Sequence, residues 1–239
     1  MNPSDQPPPP LPAAKNDVPR FSPMEGADTV TGLFETLLKH PGSIIHRMHQ
    51  DGILRPLACL AGIAIVSFIV FGALIGTFAL GQQLWAAPLK ITLGIVFSAL
   101  ICLPSLYIFT CLSGLSARFS SVAGILAAVV ALTGLLLLGF SPVVWIFSQS
   151  TSSPVFMGAL VLIFWIISLS VGLSLLPKMV SFGSTSGSPY LRIWIVIFVI
   201  VTLQMSTSLR PLIAPEEDST FLPTEKKFFL EHWVDQIGR

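Results

Sequence analysis

The chain has 239 residues, 53% of them hydrophobic and 10% charged, with a net charge of +1 and a mean hydropathy of +0.80. A soluble domain carries about 25% charged residues, so this balance excludes an ordinary water-soluble domain. One net positive charge gives no electrostatic basis for binding nucleic acid, nor for attraction of the chain as a whole to anionic lipid.

Residues 1–27 are rich in Pro, Ser and Asp. They hold too little apolar surface to offset chain entropy, so a disordered tail is expected, with polyproline II character at Pro7 to Pro10. That run fits an SH3-like groove or a plain tether. No apolar stretch with a small-residue cleavage site occurs here, so the first membrane helix is expected to be its own uncleaved targeting signal.

Residues 28–51 turn helical. Val30, Leu33, Phe34, Leu37 and Leu38 recur at three- and four-residue spacing, with Asp28 as the expected N-cap. Pro41-Gly42 stops the run, and Ser43 is expected to cap a second short helix carrying Ile44, Ile45 and Met48. Both are too short and too polar to span, and fit amphipathic helices lying in the membrane surface. His46 and His49 share one face with His40 upstream. Spacing fixes no third ligand, so a wet helix face is expected rather than a metal site.

Residues 52–212 hold five apolar runs near the 20 residues a spanning helix needs: Pro56 to Leu80, Leu89 to Leu112, Val122 to Phe147, Val155 to Leu176 and Leu191 to Leu209. "GQQLWAAP", "SGLSARFSS", "SQSTSSP" and "PKMVSFGSTSGSP" are the expected breaks. The fold class is therefore all-α, a polytopic integral membrane protein of five transmembrane helices. Eight Lys and Arg fall on the N-terminal side of such a bundle and five on the other. The positive-inside rule then puts the N-terminus in the cytoplasm and the C-terminus outside. Trp85 and Trp145 on one side, with Tyr190 and Trp194 on the other, fit interfacial aromatic belts.

Between Asp51 and Glu216 the sequence has no Asp, Glu or His. Pumps and proton-coupled carriers usually keep ionisable groups inside the bundle, and carboxylate or His-metal catalysis needs the same residues. The expectation is no enzyme, no metal and no cofactor. Between Arg55 and Arg210, which flank the apolar runs, the only charges are Lys90, Arg118, Lys178 and Arg192, expected at helix ends with the lysines snorkelling to headgroups. A Ser-Lys site at Lys90 or Lys178 is the one enzymatic alternative. Cys59, Cys102 and Cys111 lie in apolar runs without ligand spacing and read as small hydrophobes.

Within the spans, Gly72-x-x-x-Gly76 and Ser168-x-x-x-Gly172 allow close helix approach, with Gly62 and Ala79 near the first stripe. They serve either a seam inside the bundle or one with a homo-oligomer or partner helix. Pro104, mid-span, removes a helical hydrogen bond at Leu100 and predicts a kink. Ser105, Tyr107 and Thr110 follow it, so the kink either shapes packing or lines a mid-membrane site. Pro142 is expected to bend or end the third run. The fifth closes with "LQMSTSLRPLIAP", where Gln204, Thr207 and Ser208 share a face that Arg210 ends. Buried polar groups need partners, so this face is expected to point into the bundle or a wet vestibule, with Arg210 at headgroup depth. "LRPL" opens the first span at Leu54 and recurs at Leu209 after the last. Residues 213–239 are a tail, with a short amphipathic helix expected after Pro223.

The lead "GLFETLLKHPGSIIHRM", the small-residue first spans and five N-in, C-out helices resemble bacterial members of the Yip1-type membrane family. "APLKITLGIVFSALICLPSLYIF" and "LQMSTSLRPLIAP" look like segments of bacterial polytopic inner-membrane proteins. The resemblance covers the topology of residues 30–212 and implies a bacterial cytoplasmic membrane. The acidic, Tyr-Gly-rich signature of the eukaryotic members is not present, and no catalytic residue carries over. The function expected is a non-catalytic membrane scaffold or partner-binding protein. The alternative is a transport or permease-type component with a path near Pro104 and Gln204. The expected partners are the lipid bilayer and a membrane protein or second copy.

Overall fold

The computed structural model describes residues 29–48, 52–79, 83–114, 118–151, 153–178 and 189–208. Among them the regular structure is entirely helical, in seven principal helices. They are α1 (Val30–Lys39), α2 (Pro41–Arg47), α3 (Leu54–Ala79), α4 (Gln83–Leu112), α5 (Phe119–Ser150), α6 (Pro154–Leu173) and α7 (Pro189–Ser208). The expected tail helix after Pro223 lies outside the described residues.

The boundaries have local causes. Thr29, not Asp28, caps α1: its backbone is extended and its Oγ1 accepts the Gly32 N–H at 3.2 Å. Helix α2 starts at Pro41, where a missing N–H costs nothing, and Ser43 is buried inside it rather than capping it. Gly52, at φ +83°, supplies the left-handed turn before α3 that a side chain would strain. Helix α4 begins at Gln83 and runs through Pro88, so "GQQLWAAP" is mostly helix instead of a break. Pro142 does not end α5, which continues to Ser150. Ser153 caps α6 by accepting the Phe156 N–H, and a further helical turn, 175–178, follows it.

Four helical segments have the length and apolarity to cross a bilayer: Leu54–Thr77, Trp85–Leu112, Phe119–Ser150 and Val155–Lys178. Helix α7 covers the expected fifth run, but its apolar stretch, Pro189–Met205, is shorter. At 1.5 Å per residue the 32 residues of α5 reach about 48 Å, beyond a hydrocarbon core of about 30 Å.

Helix α5 is the centre of the bundle. It packs on α3, α4 and α6, and α1 and α2 also touch it. Helix α4 packs on α3 and carries α7 on its other side. Side-chain pairs fix the directions. Phe147 meets Phe156 at a ring separation of 5.7 Å, Phe140 stacks on Phe164 at 4.5 Å, and Gly172 lies on Val129 and Thr133. Rising numbers on one helix meet falling numbers on the other, so α5 and α6 are antiparallel. Gly124 faces Ile53 while Gly134 faces Ser67 and Phe68, so α3 and α5 run parallel. Gly72, late in α3, lies against Pro88, early in α4, so these two are antiparallel, and the starts of α3 and α5 and the ends of α4 and α6 share one end of the bundle.

Helices α1 and α2 dock on that end. Leu33 and Leu37 of α1 and Ile44, Ile45 and Met48 at α2 are buried, and Met48 reaches Gly124 of α5. The outer surfaces of α3, α4, α6 and α7 are apolar: Val66, Phe97, Ile163 and Val196 are each at least half exposed. In water such surfaces would be costly, whereas lipid solvates them.

Candidate functional site

The polar groups of the bundle are few, and most are held by their own helix. Ser98 Oγ donates to Gly94 O, Thr110 Oγ1 to Leu106 O and Thr202 Oγ1 to Phe198 O, each at 2.7 Å, and Thr133 Oγ1 to Val129 O at 2.9 Å. A hydroxyl returned to a carbonyl one turn back is satisfied without a partner helix or water. Among the described residues, two buried hydroxyls, Thr92 Oγ1 and Ser168 Oγ, have no hydrogen-bond partner.

Pro104 is exposed on α4, on the outside of the bundle. Its neighbour Ser105 turns inward. Ser105 Oγ donates to Cys102 O at 2.8 Å and accepts the Trp194 indole N–H at 3.0 Å. Trp194 is fully buried and stacks on Phe198 at 5.1 Å. This corrects the expectation that Trp194 belongs to an interfacial belt: the ring is buried and its N–H has an acceptor on α4, so it need not seek water. Trp85, 82% exposed, is compatible with a belt.

Gln204 is half-buried on α7. It lies ten residues beyond Trp194, about 15 Å along the axis, and Trp194 marks the level of Pro104. The two positions are therefore separate points on the protein and form no common site. Arg210 lies outside the described residues, as do the side chains of Thr207 and Ser208.

The glycines are used within the chain. A Cβ on Gly72 would sit 2.5 Å from Pro88 Cα and 3.3 Å from Ala87 O, so Gly72 lets the α4 backbone lie directly on α3. Gly76 is buried on the same helix. A Cβ on Gly172 would meet Thr133 Oγ1 and come within 2.8 Å of Val129 O. Gly62 is exposed with open space around it and belongs to no such seam.

Lys90 departs from the sequence expectation. It is only 7% exposed, enclosed by protein instead of extended to headgroups. Ala87, three residues earlier on the same helical face, lies against Gly72 in the α3–α4 seam, and that close packing leaves Lys90 little surface. Sequence reasoning missed its burial. The available signal was that Lys90 shares a helical face with Gly94, a small residue at a packed position. Lys178 is exposed, compatible with snorkelling.

Among the described residues, no three His, Cys, Asp or Glu side chains converge as metal ligands; His49 lies outside them. Cys59, Cys102 and Cys111 are free thiols. On α1, exposed Glu35 accepts from Lys39 Nζ at 2.7 Å. That hydrogen bond, with the Lys39 charge, holds the Glu35 carboxyl below its ordinary range. Compared with known proteins, the chain matches no family model, no curated protein and no solved structure.

Proposed function

We propose that this protein is a non-catalytic integral membrane scaffold, working through the outer faces of its helices and through its tails. The observation that supports this most is the allocation of its interior. The glycine seams and most hydroxyls serve the chain's own packing, while α6 rests chiefly on α5 and α7 chiefly on α4. The outward faces of α6 and α7, with Ile163, Ile166, Ile193 and Val196 exposed, are where a membrane partner or second copy would lie. Gly72 is not available to a partner, because Pro88 occupies its face.

In this reading α7 completes five spans, and α1 and α2 flank them at the membrane interface. Cations at the α1–α2 end favour the cytoplasmic side for that end, leaving the C-terminal tail outside. The Yip1-type resemblance supports a bacterial cytoplasmic membrane as that bilayer. Extraction in native-like nanodiscs, followed by native mass measurement and identification of co-purified chains, tests the scaffold. A stoichiometric partner or a defined homo-oligomer is expected. A lone monomer that passes or binds a solute would overturn the reading in favour of a transport component. The buried Lys90 favours that second reading, since an ionisable group within a span is a default functional position.

A further inference from the structure

The net charge of +1 conceals a strong asymmetry. Seven Lys and Arg lie among the described residues. Lys90 stands at the end where α3 meets the start of α4. Lys39, Arg47, Arg55, Arg118 and Lys178 stand at the opposite end, by the helix directions given above. Arg192 joins them, two residues from Trp194, which bonds to Ser105 in the last third of α4. Glu35 is the only acid among the described residues, and Lys39 pairs with it. Among the described residues, six cations less one acid leave that rim at +5.

The same rim carries an apolar wedge. The apolar arc of α1 divides in two. Leu33 and Leu37 are fully buried against the bundle, while Val30, Phe34 and Leu38 are 56%, 42% and 48% exposed. These three follow one another at four-residue spacing, so they form a continuous outward stripe. Leu54, at the start of α3, is 82% exposed at the same end. Glu35 and Lys39 lie on the polar side of α1. A helix with one apolar edge in protein, a second facing outward and a polar edge beyond suits the boundary between acyl chains and headgroups.

We propose that this rim is a binding surface for anionic phospholipid of the leaflet on the α1–α2 side. The headgroup phosphates pair with the exposed Arg55, Lys178 and Arg192, and the acyl chains cover Val30, Phe34, Leu38 and Leu54. Guanidinium groups match phosphate oxygens in two-point contacts, and a negative leaflet surface attracts each juxtamembrane cation. A zwitterionic lipid would cover the apolar stripe equally well but leave the cations without compensating charge. The inference depends on the membrane setting and not on the scaffold role, so either can fail alone.

The test uses the full-length protein, purified into nanodiscs with equal phosphatidylglycerol and phosphatidylcholine, with retained lipids identified by native mass spectrometry. Phosphatidylglycerol should be retained in excess. Arg55→Gln, Lys178→Gln and Arg192→Gln should each lower that excess by up to about fivefold at low salt, and 0.5 M salt should compress it. Asp51→Asn, which removes an acid between α2 and α3, should raise it. Phe34→Ser should lower retention of both lipids without changing their ratio. The substitutions at Phe34, Arg55, Lys178 and Arg192 are at exposed positions, so helical content measured by circular dichroism should match the parent. Equal retention of both lipids by the parent, or a preference untouched by all three cation substitutions, would overturn the proposal. So would loss of the preference on adding inorganic phosphate at millimolar concentration, which would assign the surface to a soluble anion.

Discussion

Helix α5 is enclosed by α3, α4 and α6, with Met48 and Ile53 closing around Gly124 near its start, whereas α7 lies chiefly against α4. In sequence both are apolar, uncharged in their middle and punctuated by hydroxyls. The difference between them is which faces meet protein. In α5 nearly every position from Ser121 to Leu137 is buried; in α7, among the described side chains, only Leu191, Trp194, Phe198 and Thr202 are. Those four recur at three- and four-residue spacing, a single seam. Lipid is as apolar as leucine, so hydropathy reports entry into the membrane and says little about burial once there. Steric fit and hydrogen bonds decide the rest.

The largest expected effect comes from cutting the α7 seam. Trp194→Ala removes a buried ring stacked on Phe198 and the hydrogen bond to Ser105. Core Trp→Ala changes cost about 3–5 kcal/mol in water-soluble proteins. Without a water-transfer contribution the lower end applies, about 3 kcal/mol. The loss should be local. Proteolysis in the 179–188 connection and labelling of a cysteine placed at Leu191 should increase, while α3 to α6 keep their protection. Global unfolding of the bundle by Trp194→Ala would show that α7 is as integral as α5.

A smaller effect with a wider reach is expected in the α5 seam. Gly172→Ala puts a methyl against Thr133 and 2.8 Å from Val129 O. A backbone atom cannot rotate away, so α6 must move off α5, at about 2 kcal/mol. The whole bundle should become less resistant to denaturing detergent. Gly62→Ala is the sign control. Its Cβ meets nothing within 4 Å, so better helix propensity should raise stability by about 0.5–1 kcal/mol. Equal destabilisation by both would show that the glycines matter through backbone conformation rather than close approach.

The same contrast explains what was legible in the sequence. The helical class and the main apolar runs follow from the absence of charge over twenty-residue stretches, which residues such as Leu132 to Leu138 make plain. The small residue at Gly72 announced a close helix approach, but not that Pro88 would fill it. The sequence also gave no means of separating Trp194 from Trp85. Both flank an apolar run, and only the partner at Ser105 turns one inward. Pro104 drew attention as a kink, yet the informative residue is its neighbour, because the hydroxyl and not the ring reaches α7. Lys90 looked like an end-of-helix cation because α4 was expected to begin near Leu89; the helix begins at Gln83 and carries Lys90 into the packed region.

Ser105→Ala isolates the hydrogen bond from the packing. Trp194 keeps its shape and its stack on Phe198 but loses its acceptor. Hydrogen bonds between membrane helices average about 0.6 kcal/mol, so α7 should loosen by roughly that amount. Trp194→Phe, which also removes the donor, should cost more only through the smaller ring. Combining Ser105→Ala with Trp194→Phe should then add little beyond Trp194→Phe alone. Full additivity would mean that the indole N–H takes its stabilisation from another group.

The smallest expected effect lies outside both seams, on α1. Lys39 holds the Glu35 carboxyl below its ordinary value of 4.5. A lowered folded-state value means the pair's contribution is fully present above 4.5 and lost as pH falls through the folded value. Lys39→Met should return the Glu35 midpoint toward 4.5, read by carboxyl carbon chemical shift across an acid titration. Both groups are exposed, so solvent screens the pair, and neither the α5 seam nor the α7 seam should respond. Coupled loosening of α7 in Lys39→Met would show that the surface helix is wired to the periphery of the bundle, and the division between an enclosed centre and an independently held outer helix would have to be redrawn. Unchanged protection of α7 across the titration keeps that division: charge acts at the water-facing edge of α1, and fit between apolar surfaces acts everywhere below it.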